Sequence, residues 1–367
     1  MNSDKFEIYF VLASRFPTKK AYGVTTENTA RAAIELGHRS SIITPELGEK
    51  DVSTLNVLIV GSSISKYLLS RRIRKLIRIR FYIFLFFFSI FVTVKTKGEN
   101  RIIWTRDILL AQFVSIFSNN SIVLEIHHNP NRIQSFYLKK LSKNQKIIIA
   151  PISNFLDNKI HFNINRFVQV PMSINKSELI ENYLISERSD RLIYLGSPES
   201  AGKEINFNFL NDLGFLLEKH HPSWKIEIIG FDKIFFSHRI NGDVSSGLNF
   251  CGYLPRSIVL NNIKHAKIGL VNYEDDNYHQ FPIKIVEYAA SGLAILASDT
   301  NSHKRILNDS NCVFFKGDSV ESAFRELNLL ICNSNKIAFY ALKAREWVND
   351  LTYENRVKQV IKKLIIN

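Results

Sequence analysis

The chain has 367 residues, a formal net charge of +14, and is 46% hydrophobic and 22% charged. That length is enough for two domains of ordinary size, and the composition excludes a disordered or collagen-like chain. Its cysteines, Cys251, Cys312 and Cys332, have no paired spacing, which excludes a Cys-rich zinc cluster and argues against a disulfide framework.

Phe6 to Leu12 reads as a strand. The apolar lead is short and broken by Arg15, so it lacks the form of a secretory leader, and a reducing cytoplasm is the expected setting. The loop Ala21-Tyr22-Gly23-Val24 leads into a helix over Val24 to Leu36 that Gly37 ends. Ser41 to Thr44 and Val57 to Val60 read as short strands. Residues 66–80 then carry Lys66, Arg71, Arg72, Arg74, Lys75, Arg78 and Arg80 with no acid, and Phe81 to Val94 follow with no charge. Spanning a bilayer takes about twenty apolar residues, more than this run supplies. A basic stretch beside an aromatic one suits helices lying on an anionic membrane surface, with Phe84, Phe87 and Phe88 as an apolar anchor; a buried helix is the alternative. The basic residues are not interleaved with aromatics and no nucleic-acid motif appears, so no nucleic-acid partner is expected.

Arg101 to Thr105, Ile122 to Ile126 and Lys146 to Ala150 read as strands, each followed by a helical stretch. Such alternation gives a parallel sheet. At the end of the first of these strands stands Trp104-Thr105-Arg106-Asp107, where Asp107 suits a helix N-cap. At the end of the second stands Glu125-Ile126-His127-His128-Asn129-Pro130. Ligands bind at such carboxyl ends; a surface-loop histidine is the alternative, and a zinc site lacks a third ligand at recognisable spacing. Pro171 to Asp190 is polar, with one short helical patch, and marks the boundary between a first domain over 1–172 and a second over 173–350, with 351–367 as a C-terminal helix.

The second half repeats the pattern. Strands are expected at Arg191 to Leu195, Lys225 to Ile229, Lys267 to Val271 and Ala294 to Ala297. Helices are expected at Asn206 to Lys219, 318–333, 336–349 and, amphipathic, Tyr353 to Ile366. The first strand runs into Gly196-Ser197-Pro198-Glu199-Ser200-Ala201-Gly202-Lys203, and Cys251-Gly252-Tyr253 forms a later loop. The most informative segment is Phe281 to Asp299. A helix opened by Pro282 carries the carboxylate of Glu287 in an apolar context, Gly292 suits a left-handed stop, and a buried strand follows. A helix N-terminus of this kind accepts an anion.

The match of Pro282, Lys284, Glu287, Tyr288, Ala290, Gly292 and Ser298-Asp299 resembles the donor-site signature of retaining glycosyltransferases of family 4, also called group 1. The resemblance implies an α/β chain of the GT-B fold, two doubly wound Rossmann-like domains facing across a cleft, with the last helix crossing back onto the first domain. It implies donor-binding roles for Gly23, Gly196, Lys203, Gly252, Tyr253, Pro282, Ile283, Lys284 and Glu287, with Glu287 on the ribose and Lys203 on the diphosphate. His127 would face the sugar, so His127, Lys203 and Glu287 are the expected catalytic residues, and Arg106 and His128 the acceptor-side candidates. Three positions depart from the family pattern, the first being Tyr22, where members have the first glycine of a pair. His279 stands where many members have a glutamate, and Ser197 where an arginine is usual, so Lys203 carries more of the phosphate charge.

The expected activity is metal-independent, cofactor-free transfer of a sugar from a nucleotide diphosphate sugar to a glycan or lipid-linked acceptor in cell-envelope polysaccharide assembly. The expected place is the cytoplasmic face of an anionic membrane. A nucleotide-sugar epimerase and a catalytically idle scaffold on the same fold are the alternatives. No Asp-x-Asp and no Gly-x-Gly-x-x-Gly occurs, so neither a metal–diphosphate motif nor a nicotinamide site is indicated.

Overall fold

A computed structural model describes residues 5–18, 21–48, 55–59, 74–153, 166–179, 184–196, 205–273, 281–317 and 319–366. The chain divides into two compact units, Met1–Pro171 with Tyr353–Asn367, and Met172–Thr352.

In the first unit the elements run β1 (Glu7–Val11), α1 (Ala21–Glu35), β2 (Arg39–Thr44), β3 (Asn56–Ile59), α2 (Arg74–Lys95), β4 (Arg101–Thr105), α3 (Ile108–Phe117), β5 (Ser121–Ile126), α4 (Arg132–Leu141) and β6 (Ile147–Pro151). The strands form one parallel sheet in the order β3-β2-β1-β4-β5-β6. Apolar residues run nearly unbroken along β1, β5 and β6, as strands covered on both faces require. Ile8, Phe10 and Leu12 of β1 share a core with Ala30 and Ala33 of α1 and with Tyr353, Val357 and Val360 of the C-terminal helix. Phe10 is in register with Trp104, and their rings stack at 5.3 Å. On α2, Phe88 is only 2% exposed whereas Phe87 is 60% exposed. Phe88 is thus a core residue and no part of an outer anchor; Phe86 is the exposed neighbour and lies edge-on to Phe113 and Phe117 of α3. Lys66, Arg71 and Arg72 lie outside the described residues.

The second unit runs β7 (Ser189–Leu195), α5 (Phe207–His220), β8 (Lys225–Ile229), α6 (Lys233–Ser237), β9 (Leu248–Gly252), α7 (Arg256–Lys264), β10 (Ala266–Val271), α8 (Ile283–Ala290), β11 (Ala294–Ser298), α9 (Asn301–Lys304), β12 (Val313–Phe315), α10 (Val320–Ile331) and α11 (Ser334–Val348). Its parallel sheet has the order β12-β11-β10-β7-β8-β9. Read from the other edge this is the first sheet's order repeated, so each unit has the doubly wound, Rossmann-like topology. The last helix, α12 (Tyr353–Ile366), belongs to the first unit.

Strands β9 and β12 and helices α6, α7 and α9 escape the sequence; where sequence and structure agree on an element, they differ at its ends. Helix α1 starts at Ala21, which places Gly23 in its first turn, where a Cβ would sit 2.4 Å from Thr18 Cγ2 and 2.7 Å from the Thr18 carbonyl oxygen. Strand β7 starts two positions earlier than Arg191, at Ser189. Arg188, just before it, donates to the carbonyls of Ala266 (3.1 Å) and Gly292 (2.7 Å), which ties the start of β7 to β10 and to the turn after α8.

Candidate functional site

In the second sheet the strand order reverses between β7 and β10, and an open α/β sheet binds its ligand outside the carboxyl ends at such a point. Glycines stand where β7, β8 and β9 end. The Gly196 amide donates to the Ile229 carbonyl (3.0 Å) and the Gly230 amide to the Gly252 carbonyl (2.8 Å). Gly230 has φ +122°, and a Cβ on it would lie 1.6 Å from the Gly196 carbonyl oxygen, so only glycine fits. Gly252 has φ +64° with open space above it, and Tyr253 beside it is 75% exposed. Gly196 and Gly252 were expected here. Gly230 was missed, although an apolar run ending in glycine, Ile228-Ile229-Gly230, was its signal.

Helix α8 is fastened to this edge by its own side chains. The Leu195 amide donates to the Tyr288 hydroxyl (2.9 Å), and Lys284 Nζ donates to the Leu195 carbonyl (2.9 Å). The Lys284 ammonium also lies over the rings of Tyr194 (4.9 Å) and Tyr273 (4.6 Å). Burial pushes its pKa down to about 7, against the opposing pull of Glu287. Lys284, expected as a donor contact, is turned inward here and ties the helix to the end of β7. Gly269 in β10 makes room for the Tyr288 ring: a Cβ there would meet Tyr288 Cδ2 at 2.3 Å. Pro282 is the N-cap of α8, and among the described residues no side chain caps the helix's first amides. A positive helix end of this kind suits an anion.

Glu287 is buried on α8, and Arg256 Nη1 donates to its carboxylate. Arg256 opens α7 and also lies 3.5 Å from Glu178. Neither partner stood out in the sequence, since an arginine following a proline has no special spacing. Lys203, Ser197 and His279 lie outside the described residues.

The first unit gathers its polar residues at the ends of β4 and β5. Glu125 is 2% exposed. Its Oε2 accepts from Trp104 Nε1 (2.8 Å), while Oε1 takes Arg106 Nη2 (3.1 Å), Arg356 Nη2 and His127 Nε2. Burial alone would raise the Glu125 pKa; Arg106 and Arg356, with His127, outweigh it and hold the carboxyl well below the usual range. Burial, reinforced by Arg106, pushes the pKa of His127 down to about 4 even though Glu125 pulls it up. The imidazole is therefore neutral at pH 7. Its Nε2–H faces the carboxylate, which leaves Nδ1 as an acceptor.

Arg106 and His127 are thus in one cluster. Asp107 turns away to cap α3, accepting from the Leu110 amide at 2.9 Å. His128 is exposed next to it. Arg356, 1% exposed and further held by the Pro171 carbonyl (2.8 Å), was missed, because nothing local marks an arginine of an amphipathic helix as buried. Among the described residues, no three His, Cys, Asp or Glu side chains are grouped to hold a metal ion.

Residues 214–362 match a family model described as glycosyl transferase-like. No curated protein sequence matches the chain. Solved structures match its fold over nearly the whole length. A glycosyltransferase from Rickettsia africae ESF-5 is 14% identical, with 99% of this chain and 100% of that one covered and a TM-score of 0.72. HepE of Anabaena, solved with UDP and glucose, is 10% identical over 99% and 100%, with a TM-score of 0.68. WaaG, a glycosyltransferase involved in lipopolysaccharide biosynthesis, is 13% identical over 97% and 98%, with a TM-score of 0.64.

Proposed function

We infer that this protein, a glycosyltransferase of the GT-B fold, moves a sugar from a nucleoside diphosphate sugar to a glycan or lipid-linked acceptor with retention of configuration. One observation carries the donor assignment. Lys284 and Tyr288 bond the Leu195 backbone and so hold the N-terminus of α8, and Glu287 with it, at the point where the strand order reverses. A diphosphate would take the helix amides, with Lys203 as a second cation. Gly196, Gly230 and Gly252 would allow the nucleotide to approach backbone, Tyr253 would lie against it, and Glu287 would accept from the ribose hydroxyls. Pro282 and Ile283 would contribute backbone only. Gly23 would give similar close approach at the first turn of α1.

In the transfer, the bond from the anomeric carbon to the diphosphate oxygen breaks and its electron pair leaves with the nucleoside diphosphate. The acceptor hydroxyl oxygen bonds that carbon and its proton passes to the departing phosphate. Amides fixed before the reaction stabilise the charge that develops on the diphosphate. His127, neutral and held by Glu125, would orient the sugar through Nδ1, beside Arg106 and His128 on the acceptor side. No metal ion or other cofactor is required in this scheme.

The membrane face would be α2. Seven cations and no acid fall within 66–80 of the sequence, and Phe86, Phe87, Ile90 and Val94 are exposed on the same helix. Among the described residues no helix is long and apolar enough to cross a membrane. A peripheral position on the cytoplasmic side fits these features, and an acceptor of cell-envelope polysaccharide assembly fits that position. The test is to incubate the protein with a panel of labelled nucleotide sugars and a bacterial membrane extract. Sugar should enter the lipid-extractable or glycan fraction with release of nucleoside diphosphate, and the product anomer should match the donor's. Inversion, or release of free sugar only, contradicts the reading.

A further inference from the structure

The cluster at the ends of β4 and β5 is unbalanced. Arg106 and Arg356 both engage a single carboxylate oxygen of Glu125, so two guanidiniums face one negative charge. His127 shares that oxygen and Trp104 fills the other, so Glu125 has no further capacity to offset the second cation. The acid beside Arg106 in sequence, Asp107, is committed to the Leu110 amide. A buried charge without a counter-charge is costly. Arg356 is sealed, but the side chains of Arg106 and His127 remain 18% and 23% exposed, so the excess charge opens outward on their side. Next to it, the Ile152 amide donates to the Ile126 carbonyl (3.1 Å), which sets Ser153 beside the loop that follows β5. The Ser153 hydroxyl is buried and has no hydrogen-bond partner among the described residues.

We propose that this edge of the first unit is an oxyanion site, and that the acceptor carries a phosphoryl or carboxylate group which Arg106 binds and His127 flanks, with the Ser153 hydroxyl as a further donor. The proposal rests on the assignment of the first unit to the acceptor. Arg356 supports it from behind, by occupying Glu125 and so freeing Arg106 to turn its remaining donors outward.

The test uses the full chain with labelled histidine and follows the His127 ring signals, assigned with His127→Gln, at constant ionic strength held by chloride. The probes are methyl phosphate, glucuronate and glucose. At least one anion should shift the His127 signals saturably, while glucose should not. The response should weaken at least tenfold in Arg106→Gln and persist in Arg106→Lys, which keeps the charge; the relative response to the two anions identifies the group. Absence of any saturable shift, an equal response to glucose, or an unchanged response in Arg106→Gln overturns the proposal. Binding of UDP-, GDP- and ADP-sugars is measured in parallel on the same samples. If they bind and the anions do not, the oxyanion site fails while the transferase reading stands. If no nucleotide sugar binds, that reading fails whatever the anions do.

Discussion

The guanidinium of Arg256 donates to the carboxylate of Glu287, and its second nitrogen lies 3.5 Å from Glu178. The carboxylate assigned to the ribose is thus held and oriented before any nucleotide arrives. Glu287→Ala should remove the ribose contact and leave Arg256 paired with Glu178, so the unit stays folded. A hydrogen bond to a charged group is worth about 1.5–3 kcal/mol, so donor kcat/KM should fall about ten- to a hundred-fold. Arg256→Gln should cost less, since Glu287 remains. Steady-state kinetics beside a thermal melt check both; normal kinetics in a folded Glu287→Ala protein contradict the assignment.

Gly230 and Gly242 both have positive φ, +122° and +93°, but a Cβ at Gly230 would run into the Gly196 carbonyl whereas nothing lies within 4 Å of one at Gly242. Gly242→Ala should show backbone strain alone, about 1–3 kcal/mol. Gly230→Ala should cost more and also weaken nucleotide binding, because it displaces the end of β7. Urea unfolding of the two variants compares them directly, and equal losses would show that the close approach carries no weight.

Much of this architecture was legible in the chain because its signals are local. Apolar runs ending in glycine mark buried parallel strands, and Pro282 and Gly292 bracket α8. Asp107 was readable as an N-cap from its place before an apolar stretch. What escaped depends on partners remote in sequence. Arg356 looks like any solvated residue of an amphipathic helix until Glu125 is placed against it. Lys284 reads as one more donor-binding residue until the Leu195 carbonyl and two tyrosine rings are seen around it. The run Phe86-Phe87-Phe88 of α2 is uniformly aromatic, so nothing in it distinguishes buried Phe88 from exposed Phe86 and Phe87.

His127 makes stability pH-dependent with a definite sign. Its folded pKa of about 4 lies below the ordinary 6.5, so between these values the unfolded chain holds a proton that the folded one refuses. The stabilising contribution is therefore complete above pH 6.5 and is lost as pH falls towards 4. His127→Gln should flatten this part of the stability profile. Urea unfolding at pH 7 and pH 4.5 checks it: the stability difference between wild type and variant should shrink at the lower pH. The same variant should lower turnover more than it weakens donor affinity.

Two adjacent phenylalanines of α2 should behave oppositely. Phe87→Asp combined with Ile90→Asp should leave stability nearly unchanged and release the protein from anionic vesicles. Phe88→Ala should cost about 3–5 kcal/mol, as for a large core side chain. Flotation with vesicles rich in anionic lipid, at low and high salt, reads the first effect. Wild type that stays with the soluble fraction at low salt contradicts the membrane role.

The central claim is that the second unit holds a nucleoside diphosphate sugar with Glu287 on the ribose. Calorimetric titration of UDP, GDP and ADP into wild type and Glu287→Ala, each repeated with the 2′,3′-dideoxy nucleotide, tests it most directly. At least one ribonucleotide should bind wild type tightly and lose about ten- to a hundred-fold in the variant, the loss expected for a hydrogen bond to a charged group, while its dideoxy form binds both proteins equally weakly. A dideoxy nucleotide that binds wild type as well as the ribonucleotide does, or a variant that binds the ribonucleotide normally, would contradict the account.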